Sequence, residues 1–173
     1  MKPHEEHRKD AERPLNVVIV TVSTSRYEKK RRGVSFTDEA GDVAEEEAKK
    51  AGNSVTRRVM ISDDRNMIRR ETRRFLSGEE DVLVFAGGTG LSPRDVTVET
   101  VRPFLEKELE GFGELVRRMG YDEVGVAASL TRATAGVANG KLIACLPGSP
   151  NGVLTAMRAF AKEFPHMVFI ARK

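Results

Sequence analysis

The stretch "VFAGGTGLSPRD", residues 84–95, passes from an apolar segment through Gly87, Gly88 and Gly90 into a polar turn that ends on Asp95. With the residues just before it, "DVLVFA" suits a strand that is buried on both faces. In an open α/β sheet, ligands bind at the carboxyl ends of the strands, and glycines there let backbone N–H groups approach an anion. The stretch therefore predicts an α/β sheet with an anion-binding loop at one edge.

Strand and helix patterns alternate on both sides of this loop. Continuous apolar or β-branched runs predict strands at "NVVIVTV" (residues 16–22), "SVTRRVMI" (54–61) and "KLIACLP" (141–147). Apolar residues at helical spacing predict helices that Gly52 and Gly78 end, and further helices over about 97–108, 112–119 and 151–162. This order predicts right-handed crossover units and an open, mostly parallel α/β sheet with helices on both faces. A short extended piece is expected near "SLTRA" (129–133), and the segment "FPHMVFIARK" receives no assignment.

Composition limits the class of protein. The 173 residues suit a single domain, expected over residues 15–173, with the charged residues 1–14 as a flexible arm. Neither a membrane span nor a secretory leader is evident, so we expect a cytoplasmic protein without a membrane partner. Cys145 is the only cysteine, which excludes an internal disulfide and favours a buried structural thiol. The net charge of +3 comes with only 6% aromatic residues, so nucleic-acid binding is disfavoured.

Side chains at the predicted strand ends favour phosphate chemistry. The glycines match neither the P-loop nor the dinucleotide-binding motif. His4, His7 and His166 lie away from the strand ends, which disfavours a Ser-His-Asp hydrolase. What remains are glycines, hydroxyls (Ser23, Thr24, Ser25 and Thr89), the acids Asp63 and Asp95, and a second loop, "LPGSPNG". Carboxylates that hold Mg2+ and N–H groups that bind phosphate oxygens would suit such a set.

Each acid also has a purely structural interpretation. Residues 92–95 form an S-x-x-D pattern typical of a capping box, with Pro93 at the first helical position. Asp38, Asp63 and Asp64 each precede a predicted helix, where an acid is favourable. From local pattern alone, helix cap and metal ligand both remain open for Asp63 and Asp95.

The motifs together resemble the MoaB/MogA proteins of molybdenum cofactor biosynthesis, the molybdopterin adenylyltransferases, which also include the G domain of gephyrin. The resemblance covers about residues 16–160 and rests on "GGTGLSPRDVTVET", "EGFGELVR", "SLTRATAGV" and "LPGSPNGV" in that order. It implies a three-layer α/β/α fold, binding of the phosphate of a pterin dithiolene, and adenylylation of that phosphate by Mg-ATP with release of pyrophosphate.

Motif by motif, the resemblance also implies site residues. Asp95 matches the acid that closes the family's GGTG…RD motif, and Asp63 in "ISDD" matches the acid of its I-P-D segment, so both are expected to be catalytic and to hold Mg2+. "FTDEAG" resembles the family's D-x-x-G, whereas Thr24 stands where many members have an aspartate. "EKKRRGVS" (28–35) lies outside the pattern and is expected to be a solvated loop. The expected substrate-binding residues are Ser23, Gly87, Gly88, Thr89, Gly90, Thr131, Arg132, Pro147, Gly148, Ser149, Pro150 and Asn151.

Family members form trimers and paired trimers, so the resemblance implies a homotrimer or hexamer, for which Phe112, Leu115 and Met119 are candidate contact residues. Two other functions stay open. A non-catalytic molybdopterin carrier or scaffold would keep the glycine loop without using ATP, and a nucleotide-pyrophosphate hydrolase of the same fold would act without any pterin.

Overall fold

A six-stranded sheet forms the centre of the computed structural model, which describes residues 13–173. The strands are β1 (Asn16–Val22), β2 (Ser54–Ile61), β3 (Val82–Ala86), β4 (Lys107–Glu108), β5 (Thr134–Ala138) and β6 (Lys141–Leu146), in the order β2-β1-β3-β6-β5-β4. β2, β1, β3 and β6 are parallel, β5 runs antiparallel to β6, and β4 runs antiparallel to β5. The predicted open, mostly parallel sheet is confirmed.

Helices cover both faces of the sheet. They are α1 (Thr24–Arg31), α2 (Glu39–Lys50), α3 (Arg65–Ser77), α4 (Thr97–Val101), α5 (Glu110–Val124), α6 (Pro150–Phe160) and α7 (Phe164–Ala171), with 3₁₀ turns at Arg102–Phe104 and Gly125–Leu130. Alternate residues of β1 enter two separate cores: Ile19 packs with α2, α5, α6 and α7, while Val20 packs with α3 and α4. Because successive strand residues point to opposite faces, this division gives the expected three α/β/α layers.

Two helices differ from the sequence prediction: α1 was not predicted, and α4 is shorter than predicted. α1 occupies a segment predicted to be a loop, and it contains no buried residue, so it leaves no apolar stripe to detect. The helix predicted over 97–108 ends at Val101, and a 3₁₀ turn at Arg102–Phe104 follows. Pro103 has no N–H to donate, which accounts for the early end.

The extended piece expected near residues 129–133 lies too early, since Gly125–Leu130 is a 3₁₀ turn and β5 begins at Thr134; the last helix was not assigned. β5 is made of small residues, but it forms a hairpin with β6 through Asn139 and Gly140, whose φ angles are 52° and 67°. Asn-Gly is the preferred pair for such a two-residue turn, so this signal was present in the sequence. The unassigned "FPHMVFIARK" forms α7, which buries Phe164 and Val168 in the core.

Asp81 ties both ends of the described chain to the amino-terminal edge of the sheet. Its carboxylate accepts hydrogen bonds from Arg13 Nη2 (3.2 Å), Arg172 Nη2 (2.7 Å) and the backbone N–H of Asn16 (2.9 Å). Of the predicted flexible arm (residues 1–14), residues 1–12 lie outside the part of the chain that the structure describes. Between residues 13 and 173, none of the helices is both long and apolar enough to cross a bilayer.

Candidate functional site

The candidate site lies at the carboxyl edge of the parallel strands. Loops that follow β1, β2, β3 and β6 meet there, together with the segment that precedes β5. The chain adds β2 on one side of β1 and β3 on the other, so the order of strands reverses between β1 and β3. Such a switch point opens a crevice in which ligands bind in open α/β sheets.

The glycine loop, residues 87–95, follows β3 and is held by Thr97. Gly87 and Gly88 have φ angles of 115° and 68°, a region that non-glycine residues rarely adopt. Thr97 is buried; its hydroxyl donates to Gly87 O (2.9 Å) and its N–H donates to Gly88 O (3.0 Å). Within the described chain, the N–H groups of Gly88, Thr89 and Gly90 donate no hydrogen bond. The loop therefore presents three consecutive free donors, as an anion-binding turn requires.

Asp63 lies on one side of the glycine loop. Its Oδ2 accepts hydrogen bonds from the backbone N–H (2.9 Å) and the hydroxyl (2.7 Å) of Thr24, at the start of α1. Oδ1 accepts no hydrogen bond from residues 13–173, and it would lie 3.3 Å from a Cβ placed on Gly88. Asp63 therefore does not cap α3, the helix that follows it; Asp64 caps α3 through a hydrogen bond from Met67 N (2.8 Å).

Asp95 closes the other end of the glycine loop. Its Oδ2 accepts a hydrogen bond from Ser92 N (2.8 Å), and Asp95 N donates to Ser92 O (2.9 Å). Arg94 N donates to Ser92 Oγ (3.3 Å), so the reciprocal side-chain bonds of the predicted capping box are present. They close a turn and do not begin a helix, because α4 begins only at Thr97 and has no side-chain cap. No hydrogen bond from the described residues reaches Asp95 Oδ1. The carboxylate therefore stabilises the loop through one oxygen and leaves the other available.

Arg132 fixes the glycine loop from the β5 side. Its Nε donates to Gly90 O (2.9 Å), Nη2 donates to Asp95 O (3.2 Å), and Nη1 forms an ion pair with Glu99. The hydrogen bond from Arg132 lowers the pKa of Glu99 below its ordinary value. Arg132 N also donates to Thr89 O (2.9 Å). Arg132 was expected to bind substrate, but most of its donors hold the loop and Glu99.

The proline loop, residues 147–151, follows β6 and lies against the glycine loop. Gly87 N donates to Leu146 O (3.1 Å), and a Cβ on Gly148 would lie 3.2 Å from Gly87 Cα. Ser149 caps α6 by accepting a hydrogen bond from Gly152 N (3.1 Å), and Pro150 occupies the first turn. The two loops are thus in direct backbone contact.

A cavity of about 140 Å³ lies beside the proline loop. It is lined by Thr131, Pro147, Ser149 and Asn151, together with residues of α5 and α6 that include Glu123, Val124 and Thr155. Thr131 links it to the glycine loop, since its hydroxyl lies 3.3 Å from that of Thr89. The segments expected to shape the pterin pocket are therefore neighbours.

Two further predicted residue groups have clear positions. Ser23 caps α1, with its Oγ accepting from Arg26 N (3.5 Å), and the basic residues 29–32 are exposed at the other end of that helix. The stretch expected to be a loop is therefore partly helical. Asp38 caps α2 by accepting a hydrogen bond from Gly41 N (3.1 Å) and also contacts Arg58 Nη2 (2.8 Å), so its role here is structural. Burial raises the pKa of the Cys145 thiol to about 12, as suits an inert core residue.

The donor set fits Mg2+ only if phosphate oxygens complete the coordination. In the part of the chain that the structure describes, no group of three or more His, Cys, Asp or Glu side chains is placed to hold a metal ion. Mg2+ is usually held by one or two carboxylates plus substrate phosphates and water, without a full protein cage. Asp63 lies beside Gly88 and Asp95 lies beside Gly90, so two carboxylates of the required kind flank the glycine loop.

Sequence reasoning missed three residues that organise this site: Thr97, Glu99 and Thr24 in its contact with Asp63. Thr97 and Glu99 follow the glycine loop within a stretch predicted as an ordinary helix, and no local pattern identifies their contacts. Thr24 was considered only as a hydroxyl at a strand end. The register of β1 against β2, which pairs Val22 with Ile61, is what brings Thr24 beside Asp63.

Comparison with known proteins places this geometry in a family. The family model for a "Probable molybdopterin binding domain" matches residues 18–166, so the chain belongs to the MoCF_biosynth family. The "Probable molybdopterin adenylyltransferase" of Methanocaldococcus jannaschii is 37% identical over 155 residues, covering 89% of this chain and 92% of the relative. "Molybdenum cofactor biosynthesis protein B" of Staphylococcus epidermidis is 39% identical over 180 residues, covering 100% of this chain and 98% of that protein.

The fold agrees with this assignment. The crystal structure of the "tungsten cofactor synthesizing protein MoaB" of Pyrococcus furiosus superposes with a TM-score of 0.82 at 33% sequence identity, covering 93% of this chain and 99% of the other. The resemblance to MoaB/MogA proteins inferred from the four sequence motifs is therefore confirmed.

Proposed function

We propose that this protein is a molybdopterin adenylyltransferase that acts in molybdenum cofactor biosynthesis and uses Mg-ATP. An oxygen of the terminal phosphate of molybdopterin attacks the α-phosphorus of ATP, the bond from that phosphorus to the oxygen of the β-phosphate breaks, and pyrophosphate leaves. The product carries AMP joined to the pterin phosphate. Relatives at 37% and 35% identity over most of the chain bear the name of this activity.

The observation that carries the proposal is the position of the two acids beside the glycine loop. Free N–H groups of Gly88, Thr89 and Gly90 lie between two carboxylates that each keep one oxygen without a hydrogen bond from the described residues. The N–H groups suit phosphate oxygens, and the carboxylates suit a cation bound to those oxygens. A site for a magnesium-bound polyphosphate needs both.

This chemistry requires neither a protein base nor a covalent intermediate. The attacking phosphate is already an anion, so the protein has to position two phosphate groups and neutralise their mutual repulsion. Bound Mg2+ would supply charge neutralisation at the ATP phosphates. Asp63 and Asp95 would hold the cation, and the rigid glycine loop would fix the phosphate oxygens, with Thr97 and Arg132 holding that loop in place.

We assign the pterin to the cavity beside the proline loop. That cavity touches both Thr131 and Ser149, and its lining is mostly apolar with a few polar groups. Small-molecule sites commonly have this character. Direct contact between the proline loop and the glycine loop would then bring the pterin phosphate to the ATP phosphates.

Incubation with molybdopterin and ATP labelled in the α-phosphate tests the proposal. We expect labelled adenylyl-molybdopterin and an equal amount of pyrophosphate, both dependent on Mg2+. Pterin binding without any labelled product would indicate a carrier or scaffold instead. Release of AMP from a nucleotide pyrophosphate in the absence of pterin would indicate a hydrolase of the same fold. Either result would refute the adenylyltransferase assignment.

We further propose that the protein assembles into a homotrimer or a dimer of trimers through α5 and the 3₁₀ turn after it. Tyr121, Val126 and Leu130 are exposed there by 59%, 75% and 55%. Of the contact residues expected from sequence, only Leu115 is substantially exposed, at 49%, because Phe112 is buried and Met119 packs against the core. A contiguous apolar surface of this kind is typical of protein interfaces. Light scattering at micromolar concentration should give a trimeric or hexameric mass, and Val126→Glu should lower it.

We also expect the enzyme to work in the cytoplasm, where ATP is abundant.

A further inference from the structure

Thr24 makes an unusually complete set of contacts with Asp63 and its neighbour. The Thr24 hydroxyl donates to Asp63 Oδ2 (2.7 Å), accepts from Asp63 N (3.2 Å), and lies 3.0 Å from Ser62 Oγ. A hydroxyl has one donor and two acceptor lone pairs. Because the Thr24 hydrogen is directed to the carboxylate, Ser62 must be the donor in the third contact. All the hydrogen-bonding capacity of this hydroxyl is therefore used on residues 62 and 63.

The strand register produces this arrangement. β1 and β2 are parallel, and Ser23 N continues their ladder by donating to Ile61 O (2.9 Å). The chain then turns into α1. The N–H of Thr24, which has no acceptor within the helix because it lies at the helix start, donates to Asp63 Oδ2 (2.9 Å). Helix starts favour acceptors of this kind. Asp63 Oδ2 is thus held by two donors from a single residue, Thr24, at the start of α1.

The contacts of Oδ2 determine where Oδ1 points. With Oδ2 fixed, the carboxylate cannot rotate freely about its last bond, and Oδ1 is directed toward Gly88 in the glycine loop. We propose that Thr24 is the positioning residue for Asp63: its hydroxyl holds Oδ2 so that Oδ1 faces a cation bound to phosphate at the glycine loop. This inference rests on the proposed function, because it takes Asp63 to be a ligand of Mg2+. Residues that orient a metal ligand without touching the metal commonly change metal affinity when they are removed.

Thr24→Val tests the role of the hydroxyl, since valine has nearly the same shape and keeps the backbone N–H. Calorimetric titration of ATP, with and without Mg2+, measures its effect without any turnover. In the wild type, we expect Mg2+ to strengthen ATP binding. In Thr24→Val, that strengthening should fall by roughly 10-fold or more, the usual range for such residues, while binding of ATP without Mg2+ stays unchanged. Thr24→Ala, which adds no methyl group, should give the same result.

Two control variants separate positioning from a general structural effect. Thr24→Ser keeps the hydroxyl and should respond to Mg2+ as the wild type does. Thr56→Val removes a hydroxyl that makes only a long contact with Val17 O (3.4 Å) at the other end of β2, and it should also behave as wild type. Positioning by Thr24 is overturned if Thr24→Val or Thr24→Ala responds to Mg2+ like the wild type. It is overturned equally if Thr24→Ser loses the response, a result that does not depend on whether the valine variant folds. An absent response in the wild-type protein would instead refute the magnesium part of the proposed function.

Discussion

The two edges of the sheet use their aspartates differently. At the amino-terminal edge, Asp81 is buried and both of its carboxylate oxygens accept hydrogen bonds, from Arg13, Arg172 and Asn16 N. At the carboxyl-terminal edge, Asp63 and Asp95 each have Oδ2 held by the protein, while no described residue donates to Oδ1. An acid that the protein satisfies completely contributes to stability, because removing it leaves its donors without a partner. For the acids held by one oxygen, we propose that the other oxygen receives a ligand.

The largest difference between the edges should appear in turnover. Asp63→Asn and Asp95→Asn each keep an oxygen that can accept the existing hydrogen bond but lose the negative charge that Mg2+ needs. Adenylylation should fall by orders of magnitude while the melting temperature hardly changes. If both acids hold one ion, the double mutant should be scarcely worse than either single mutant. Steady-state turnover over a range of Mg2+ concentrations, with Asp64→Asn as the matched control, measures this. Near wild-type turnover in either single mutant would show that the acid is structural.

Asp81 should show the opposite behaviour. Asp81→Ala removes the acceptor for three donors, so the free energy of unfolding should fall by about 2 kcal/mol. Arg13 and Arg172 are partly exposed and can turn to water, which keeps the loss moderate. Urea unfolding measures the loss, and turnover at a temperature where the variant is folded should match the wild type. A loss of turnover in the folded variant would contradict the proposed division between the two edges.

A smaller effect is expected for Glu99, which acts on the glycine loop only through Arg132. Glu99→Gln weakens the ion pair that holds Arg132 in place, and turnover should fall a few-fold with little change in stability. Because this pair is partly exposed, it contributes less than about 1 kcal/mol.

The pH dependence of this contribution has a definite sign. Arg132 lowers the pKa of Glu99 in the folded state below its ordinary value of 4.5, so the ion pair stabilises the protein above that pH and loses its effect as the pH falls through the folded-state pKa. The stability difference between wild type and Glu99→Gln should therefore shrink on acidification below pH 4.5. A difference that stays constant down to pH 3 would mean that the ion pair does not stabilise the loop.

The smallest effect concerns the basic residues at the end of α1. Lys29, Lys30, Arg31 and Arg32 are exposed, so they should attract anionic ligands without contacting the reacting phosphates. Replacing all four by glutamine should slow ATP association at low ionic strength and have little effect at high ionic strength, because salt screens exposed charges. Stopped-flow binding at two salt concentrations measures this. A salt-independent loss of turnover would place one of these residues at the chemistry instead.

The buried parts of the fold were predictable because burial produces a pattern. β1 and β2 have the predicted bounds, and α3 follows its predicted apolar stripe up to Gly78. α1 could not be predicted in this way, because it buries nothing and depends on caps and on contacts with β2. β4 could not be predicted either, because it has only two residues, Lys107 and Glu108. These residues form a strand only because they pair with β5.

The sequence indicated which loops lie at the carboxyl edge of the sheet, but it did not show the contacts that the side chains make there. The motif resemblance implied roles for Asp63, Asp95 and both loops, and the local pattern around Asp95 predicted a capping box at a helix start. The hydrogen bonds of that box are present, but they join Ser92 and Asp95 within a turn, which has the same spacing as a helix start. The contact of Thr24 with Asp63 depends on the register of β1 against β2. The contact of Glu99 is with Arg132, 33 residues away. A single sequence shows neither contact.

The backbone contact between Gly87 and Gly148 makes the two ligand loops one mechanical unit. No side chain lies between these two glycines, so we expect a displacement of one loop to displace the other. A ligand that orders the glycine loop also reduces the freedom of the proline loop, and thermodynamic linkage requires the effect to be reciprocal. If the two loops bind the two substrates as proposed, each substrate should change the affinity for the other by the same factor.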